Sequence, residues 1–138
     1  MADCCKAGTK LIYACSGAAD VGEIADRVVR RLRREGFTKM TCLAGIGAGL
    51  SGYVQSAKGA DENVIIDGCQ GACAKKTVEK TGVNPNAYIL TDMGLVKGET
   101  PVTEEIIMQM CEKIKKASSS PSIALPMGTG GCSCGGKC

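Results

Sequence analysis

Cysteine and histidine are the two residue types whose counts decide what chemistry this sequence can perform. The 138-residue chain contains ten cysteines and no histidine. Ser-His-Asp hydrolases, Cys-His proteases, histidine-ligated zinc proteases and zinc deaminases all need an imidazole as a base or a ligand, so the sequence excludes these classes. A metal site in this chain must be built from sulfur and oxygen, and thiol chemistry is the other reaction type that the cysteines offer.

Four of the cysteines have positions that suit one shared site. Cys69 and Cys73 are four residues apart at a predicted helix start, so we expect their side chains to point the same way, about one turn apart. Thiolates bind zinc in a tetrahedron, and four of them complete a structural site. We therefore predict a zinc site whose ligands are Cys15, Cys42, Cys69 and Cys73. An iron–sulfur cluster stays open as an alternative, because it also uses four thiolates.

Alternating strands and helices are predicted to position these cysteines. Apolar and β-branched runs predict strands at residues 10–14, 39–43, 64–66 and 86–91. Helical spacing with start and stop signals predicts helices at residues 20–35, 53–57, 70–80 and from a Thr103 N-cap onward. This order predicts a three-layer α/β domain, Rossmann-like or flavodoxin-like, with helices on both faces of a four-stranded, mainly parallel sheet.

The predicted fold brings strand-end cysteines together. Ligands of parallel sheets bind at the carboxyl ends of the strands, near the point where the strand order reverses. Cys15, Cys42 and Cys69 each lie at or next to the end of one of the first three predicted strands. We therefore expect these three thiols to converge on one edge of the sheet.

Polar residues beside the cysteines are candidates for supporting the site. Asp67 and Gly68 precede the third strand-end cysteine, and Asp92 ends the fourth predicted strand. We expect Asp67, Gly68 and Asp92 to lie outside the ligand set, with Asp92 either as an ordinary turn aspartate or as a hydrogen-bond acceptor beside the site. Lys75 and Lys76 are predicted to offset part of the negative charge of the thiolates.

A glycine-rich segment offers a different interpretation. Residues 44–49 predict a tight turn, and Gly47–Gly52 matches the G-x-G-x-x-G pattern of dinucleotide-binding proteins. Asp67 lies at a suitable distance along the chain to contact a ribose. The intervening helix is short and polar, and an aspartate followed at once by Gly-Cys fits a thiol site at least as well. Nucleotide binding therefore stays as the third hypothesis.

The composition divides the chain into a domain and a tail. We expect residues 1–117 to form the cysteine-containing α/β domain and residues 118–138, rich in Gly, Ser and Cys, to form a flexible tail. Three tail cysteines are candidate auxiliary thiols for soft metals or disulfide exchange, namely Cys132, Cys134 and Cys138. Cys111 shares the apolar face of the last predicted helix, so we expect it in the core.

The residues around the third predicted strand carry a family resemblance. The run Val64–Lys76, with the strand-end Cys15 and Cys42 before it, resembles the DGC domain family, named after the Asp-Gly-Cys tripeptide within this run. The resemblance extends over about residues 8–117. It implies zinc binding through four potential chelating cysteines and no established activity. The matching positions are Cys15, Cys42, Cys69 and Cys73.

Charge and hydropathy predict the compartment of the protein and the classes of partner that it does not bind. A net charge of +3, one Phe, three Tyr and no Trp provide neither a strongly basic surface nor a stacking platform, so we expect no nucleic-acid partner. No apolar stretch approaches the roughly 20 residues that cross a bilayer, and residues 1–11 lack a signal-peptide pattern. We expect a cytoplasmic protein without membrane association, in which ten cysteines indicate metal or thiol chemistry rather than a disulfide scaffold.

Three functional hypotheses follow, in order of preference. The first is a zinc-binding protein in which the ion has a structural or binding role, because four thiolates leave no open coordination position. The second is a thiol or persulfide redox enzyme in which Cys69 reacts and a second thiol resolves the oxidised form. The third is the nucleotide-binding module. The metal ion is the expected partner, whereas the sequence names no protein partner or substrate and leaves open whether the chain is an enzyme.

Overall fold

The computed structural model describes residues 8–119 of the chain. Its strands are β1 Lys10–Ala14, β2 Lys39–Met40, β3 Glu62–Asp67 and β4 Asn86–Ile89. Its α-helices are α1 Asp20–Arg34, α2 Leu43–Gly47, α3 Ser51–Gly59, α4 Cys73–Glu79 and α5 Glu104–Ser119, and a 3-10 helix spans Leu90–Met93. The predicted tail lies outside the described residues except for Ser118 and Ser119. Five cysteines also lie outside them, namely Cys4, Cys5, Cys132, Cys134 and Cys138.

The four strands form one parallel sheet in the order β2-β1-β3-β4. β1 and β3 are the central pair, with Tyr13 opposite Ile65, and each is flanked by one shorter strand. The predicted α/β fold is confirmed, and the sheet is parallel throughout. Connections between parallel strands cross over the sheet and are right-handed. Because the connections run in opposite directions from β1, their helices lie on opposite faces of the sheet.

Side chains of the two central strands alternate between two apolar cores. Ile12 and Ile66 face α1 and α5, whereas Tyr13 and Ile65 face α2, α3 and α4. All four side chains are fully buried. A strand that is covered by helices on both sides of the sheet has no solvent-exposed face. This explains why the first and third strands are continuous apolar runs in the sequence.

The buried face of α5 contains Cys111, as predicted. Its thiol is 2% exposed and donates a hydrogen bond to the carbonyl of Val28 in α1, with sulfur and oxygen 3.7 Å apart. Thr103 lies before the helix, where its hydroxyl accepts from the backbone N–H of Ile106 at 3.4 Å. Helix α5 continues to Ser119, two residues past the predicted boundary, and the Ser118 hydroxyl accepts from the Lys10 ammonium at 2.6 Å.

The prediction of a tight turn at residues 44–49 was wrong. This segment is mostly helix α2, and the second strand ends at Met40 instead of Leu43. Gly45 explains the difference, because a Cβ at this position would lie 2.6 Å from the Tyr53 ring of α3. Ile46 of α2 is buried against the sheet. The glycine therefore permits close helix packing, and that packing outweighs the low helix propensity of the segment.

Two further boundaries differ from the prediction. Helix α4 begins at Cys73 instead of Gln70, because Ala72 has a left-handed backbone with φ of 48°. Strand β4 ends at Ile89, and the chain then tightens into the 3-10 helix. Within residues 8–119, no helix is both long enough and apolar enough to span a membrane.

Candidate functional site

The strand order reverses between β1 and β3, where ligands of open parallel sheets bind. From β1 the chain passes through α1 to β2 on one side, and it then returns past β1 to form β3 on the other side. Cys15 directly follows β1, and its backbone N–H donates to the carbonyl of Ile66 in β3 at 3.1 Å. Cys69 follows the end of β3 by two residues. The two cysteines therefore lie at the reversal point of the sheet.

Three cysteines line one pocket at this edge. Cys15, Cys69 and Cys73 border a cavity of about 290 Å³, together with the first turn of α1. Cys15 and Cys69 are half-buried, whereas Cys73 is exposed. We call this space the cysteine pocket. It unites three of the four predicted ligands, although Cys69 lies in the turn before α4 and not on the helix as expected.

The aspartate of the Asp-Gly-Cys tripeptide fixes the start of α4. The Asp67 side chain is 1% exposed. One of its oxygens accepts from the backbone N–H of Ala74 at 2.9 Å, and the other accepts from the N–H of Lys75 at 3.0 Å. These are N–H groups that a helix start leaves without an intrahelical partner. Asp67 thus joins the end of β3 to the first turn of α4 and positions Cys73.

The glycine of the tripeptide permits close contact with α1. A Cβ at Gly68 would lie 2.7 Å from the carbonyl carbon of Val21 and 2.9 Å from the backbone nitrogen of Gly22. The N–H of Gly68 also donates to the Cys15 sulfur at 3.3 Å. Glycine is required at this position because any Cβ would overlap the backbone of α1.

The sulfurs of Cys69 and Cys73 both lie near Gly71. A Cβ placed at Gly71 would lie 3.6 Å from the sulfur of Cys69 and 3.6 Å from the sulfur of Cys73. Gly71 therefore leaves a small free space that both thiols border. Cys69 lies in the turn and Cys73 is the first residue of α4, so only three residues separate the two thiols along the chain.

Backbone strain is concentrated beside the pocket. Among residues 8–119, the non-glycine residues with positive φ are Ser16 at 50° and Ala72 at 48°. Ser16 follows Cys15, and Ala72 precedes Cys73. A left-handed conformation costs a non-glycine residue about 1–2 kcal/mol, so it persists only where the surroundings hold it. Strain at both positions indicates that the fold maintains this arrangement of thiols.

Cys42 opens onto a different space. It is the exposed residue before α2, and it lines a neighbouring cavity of about 450 Å³ that Cys15 also borders. Within the described residues, no group of three or more Cys, Asp or Glu side chains is arranged to hold a metal ion. The four thiols are thus contiguous through Cys15, but they do not form a ready four-sulfur ligand set in this arrangement.

Burial affects the acidity of Cys15. Desolvation raises the pKa of Cys15, and the neighbouring Asp67 and Cys69 add to that increase. Hydrogen bonds from the N–H groups of Gly17 and Gly68 act in the opposite direction. Burial therefore disfavours the thiolate form of Cys15. Among the pocket thiols, Cys73 is the one exposed to solvent.

The supporting residues differ in part from those selected in the sequence. Asp92 accepts a hydrogen bond from the Gln70 side chain and so links the Cys69 loop to the 3-10 helix. Neither Lys75 nor Lys76 lines the pocket. Lys97 does, although sequence reasoning did not select it. Its position in a loop after the fourth strand was the available signal, since such loops lie at the same edge as Cys15 and Cys69.

The structural context of a dinucleotide fingerprint is missing. The Gly47–Gly52 segment runs from the end of α2 to the start of α3, whereas the fingerprint requires a strand followed directly by a helix. Both oxygens of the Asp67 carboxylate accept hydrogen bonds from α4, so this side chain has no free oxygen turned to a ribose. The site is therefore described best by its thiols.

Two comparisons with known proteins give matches to this chain. The protein named "Anaerobic and virulence modulator AnvM" from Pseudomonas aeruginosa is 33% identical over 88 residues, which are 63% of this chain and 67% of that protein. No solved structure matches the chain. The family model of the DGC domain matches residues 11–114, which include all three pocket cysteines and Cys42. This match spans the sheet from β1 to β4, and the chain belongs to the DGC domain family.

Proposed function

We propose that the domain is a thiol-based redox module whose reactive groups are Cys69 and Cys73. The observation that carries this proposal is the cysteine pocket, which both thiols line, together with their shared proximity to Gly71. Both are free cysteines, and Cys73 is exposed to solvent. A reversible dithiol pair needs two sulfurs that lie near each other and can be reached by a reagent, and these observations support such a pair.

Thiol–disulfide exchange with a small disulfide describes the reaction. The Cys69 thiolate attacks one sulfur of the reagent, its S–S bond breaks, and one thiolate leaves. The Cys73 thiolate then attacks the Cys69 sulfur, displaces the second thiolate and closes a Cys69–Cys73 disulfide. Two electrons pass from the protein to the reagent, and the protons of the two cysteines are taken up by the two departing thiolates.

Cys15 has a supporting role in this proposal. Burial raises the pKa of Cys15 and so disfavours its thiolate, and its sulfur accepts a hydrogen bond from the N–H of Gly68. A neutral thiol is a weak nucleophile. We therefore assign Cys15 to the wall of the site and the exchange reaction to the other two thiols.

The name of the relative suggests a regulatory use of this chemistry. AnvM is named an anaerobic and virulence modulator. A dithiol that oxidises to a disulfide changes its loop geometry with the redox poise of its surroundings. Such a pair could serve this chain as a sensor of oxidising conditions.

Zinc binding is the second candidate function, and it has an observation of its own. Cys15 borders both the cysteine pocket and the cavity of Cys42, so all four predicted ligands form one contiguous group. Zinc would be held by Cys15, Cys42, Cys69 and Cys73 and would contribute stability as a closed structural site. An iron–sulfur cluster would use the same four thiolates.

One experiment distinguishes the two candidates. The full chain is purified without oxygen, its metal content is measured, and it is then treated with a small disulfide and mapped by mass spectrometry. The redox proposal expects less than stoichiometric metal and a Cys69–Cys73 disulfide, with a mixed disulfide trapped on Cys69 in the Cys73→Ser variant. Cys42→Ser is the matched control, because it should leave that disulfide intact. About one zinc per chain, lost in Cys42→Ser, would support the second candidate and contradict the first.

A further inference from the structure

Within the described residues that line the cysteine pocket, Lys97 is the cationic side chain. We propose that Lys97 makes the pocket selective for anionic reagents that react with thiols, such as small disulfides that carry carboxylates. This inference rests on the proposed thiol function and adds the class of substrate that the site prefers. It is carried by where Lys97 lies, by how its turn is anchored and by the partners of the other charged groups at the site.

The carboxylate of Asp20 anchors the turn that bears Lys97. Its two oxygens accept from the backbone N–H of Gly98 at 2.9 and 3.0 Å, and one of them accepts from the N–H of Thr100 at 3.0 Å. Asp20 begins α1 and is 78 residues from Gly98 in sequence. The turn is therefore fixed to the helix end that borders the cysteine pocket.

Hydrogen bonds within the turn hold its own shape. The Thr100 hydroxyl accepts from the N–H of Val96 at 2.8 Å and donates to the Val96 carbonyl at 2.7 Å. Gly94 and Gly98 have φ values of 104° and 88°, conformations that glycine adopts without strain. Lys97 therefore projects from a closed turn with both ends bonded, and not from a loose loop.

The other charged groups at the site already have partners. Asp67, which also lines the pocket, has both oxygens on N–H groups of α4 and is almost fully buried. The Lys75 ammonium lies 3.8 Å from the Glu79 carboxylate and outside the pocket lining. The exposed Lys97 has no ion pair among residues 8–119.

An anionic reagent approaching the thiols would therefore meet a positive charge. The amino-terminal end of α1 borders the same pocket, and there the Asp20 carboxylate offsets the partial positive charge of the helix N–H groups. This contribution is common to all Lys97 variants, so replacing the lysine isolates the effect of its ammonium. Such charge attraction acts on the rate of encounter and weakens with added salt.

Paired alkylating reagents test the inference. Iodoacetamide is neutral and iodoacetate is anionic, but both alkylate a thiolate by the same displacement of iodide. The full-length, reduced chain is treated with each, and the rates at Cys69 and Cys73 are followed by peptide mass spectrometry. The iodoacetamide rate reports how reactive each thiol is, and the ratio of iodoacetate to iodoacetamide rates reports the local charge.

We expect the ratio to fall about threefold in Lys97→Gln, because the variant removes one unit charge that acts through a water-like dielectric. Lys97→Arg should retain the wild-type ratio, and added salt should reduce the difference between wild type and Lys97→Gln. Lys58→Gln is the matched control, because it removes one positive charge from α3 at a site that borders a cavity near the start of β3. It should leave the ratio unchanged.

The outcomes separate this inference from the function on which it rests. Reactive thiols with an equal ratio in wild type and Lys97→Gln would overturn the selectivity and leave the redox proposal standing. Equal falls in Lys97→Gln and Lys58→Gln would also overturn it, because net charge alone would explain both. Cys69 and Cys73 that react with neither reagent would contradict the redox proposal itself.

Discussion

Cys111 and Cys73 are the same chemical group in two different regions of the molecule. Cys111 lies between α5 and α1, where burial raises its pKa to about 11. Cys73 lies at the open carboxyl edge of the sheet and borders a cavity with two other thiols. The difference teaches that a cysteine on the buried face of an amphipathic helix serves as a small apolar core residue. A cysteine at the end of a strand stays accessible to reagents.

The largest expected contrast between the two regions is in thiol reactivity. In the folded, reduced chain, iodoacetamide should modify Cys111 at least about a hundredfold more slowly than Cys73, because a raised pKa leaves little thiolate and burial hinders access. Peptide mass spectrometry of timed samples gives both rates. Unfolding the protein should remove most of the contrast, and similar rates in the folded chain would break the comparison.

Gly68 and Gly71 sharpen the comparison within the pocket itself. Gly68→Ala should lower the free energy of unfolding by about 2 kcal/mol, because its Cβ would overlap the backbone of α1. Gly71→Ala is the matched control, since its Cβ would lie at ordinary contact distance from the two sulfurs. It should change stability by no more than about 0.5 kcal/mol. Urea denaturation measures both, and equal effects would contradict the close contact at Gly68.

Truncation of each cysteine compares what the two regions contribute to stability. Cys111→Ala should lower the free energy of unfolding by about 1 kcal/mol, because it removes a buried sulfur from the core between α1 and α5. Cys73→Ala should stay within about 0.5 kcal/mol of wild type in metal-free protein, because this side chain is exposed. A larger loss in Cys73→Ala would show that the pocket thiol is structural.

The smallest expected effect concerns pH and the Asp20 anchor. Hydrogen bonds from Gly98 and Val21 lower the pKa of Asp20 below its usual 3.8. A lowered pKa in the folded state gives a stabilising contribution that is complete above pH 3.8 and is lost as the pH falls through the folded value. Asp20→Asn should therefore be less stable than wild type at pH 7, and the gap should narrow as the pH falls below about 4. Urea denaturation at several pH values tests this, and a constant gap would contradict it.

Local sequence patterns predicted the strands and helices whose buried face is set by their own residues. Strand β1 and the start of α1 agree with the prediction, because an apolar run and an amphipathic repeat identify them without help from distant residues. Helix α2 was missed, because Gly45 permits close packing against Tyr53 and does not form a turn. The start of α4 was missed because Ala72 takes its left-handed conformation in a loop that the Asp67 carboxylate holds from β3.

The candidate site was predictable to the extent that topology determines it. Parallel strands place Cys15 and Cys69 at one edge, and the sequence alone shows that both follow strands. Cys42 opens onto a neighbouring cavity because β2 ends early and α2 begins directly after this residue. The position of Lys97 after the fourth strand pointed to this edge, but the hydrogen bond between Asp20 and Gly98 that anchors its turn joins residues far apart in sequence.

Disulfide mapping of the metal-free, full-length chain tests the central claim most directly. The protein is reduced, titrated with a small disulfide without oxygen, and digested for mass spectrometry under conditions that prevent exchange. The account predicts that a Cys69–Cys73 disulfide forms first, while Cys42 and Cys111 stay free. Formation of a different first disulfide, or a chain that retains about one zinc and keeps Cys69 and Cys73 protected from the reagent, would contradict it.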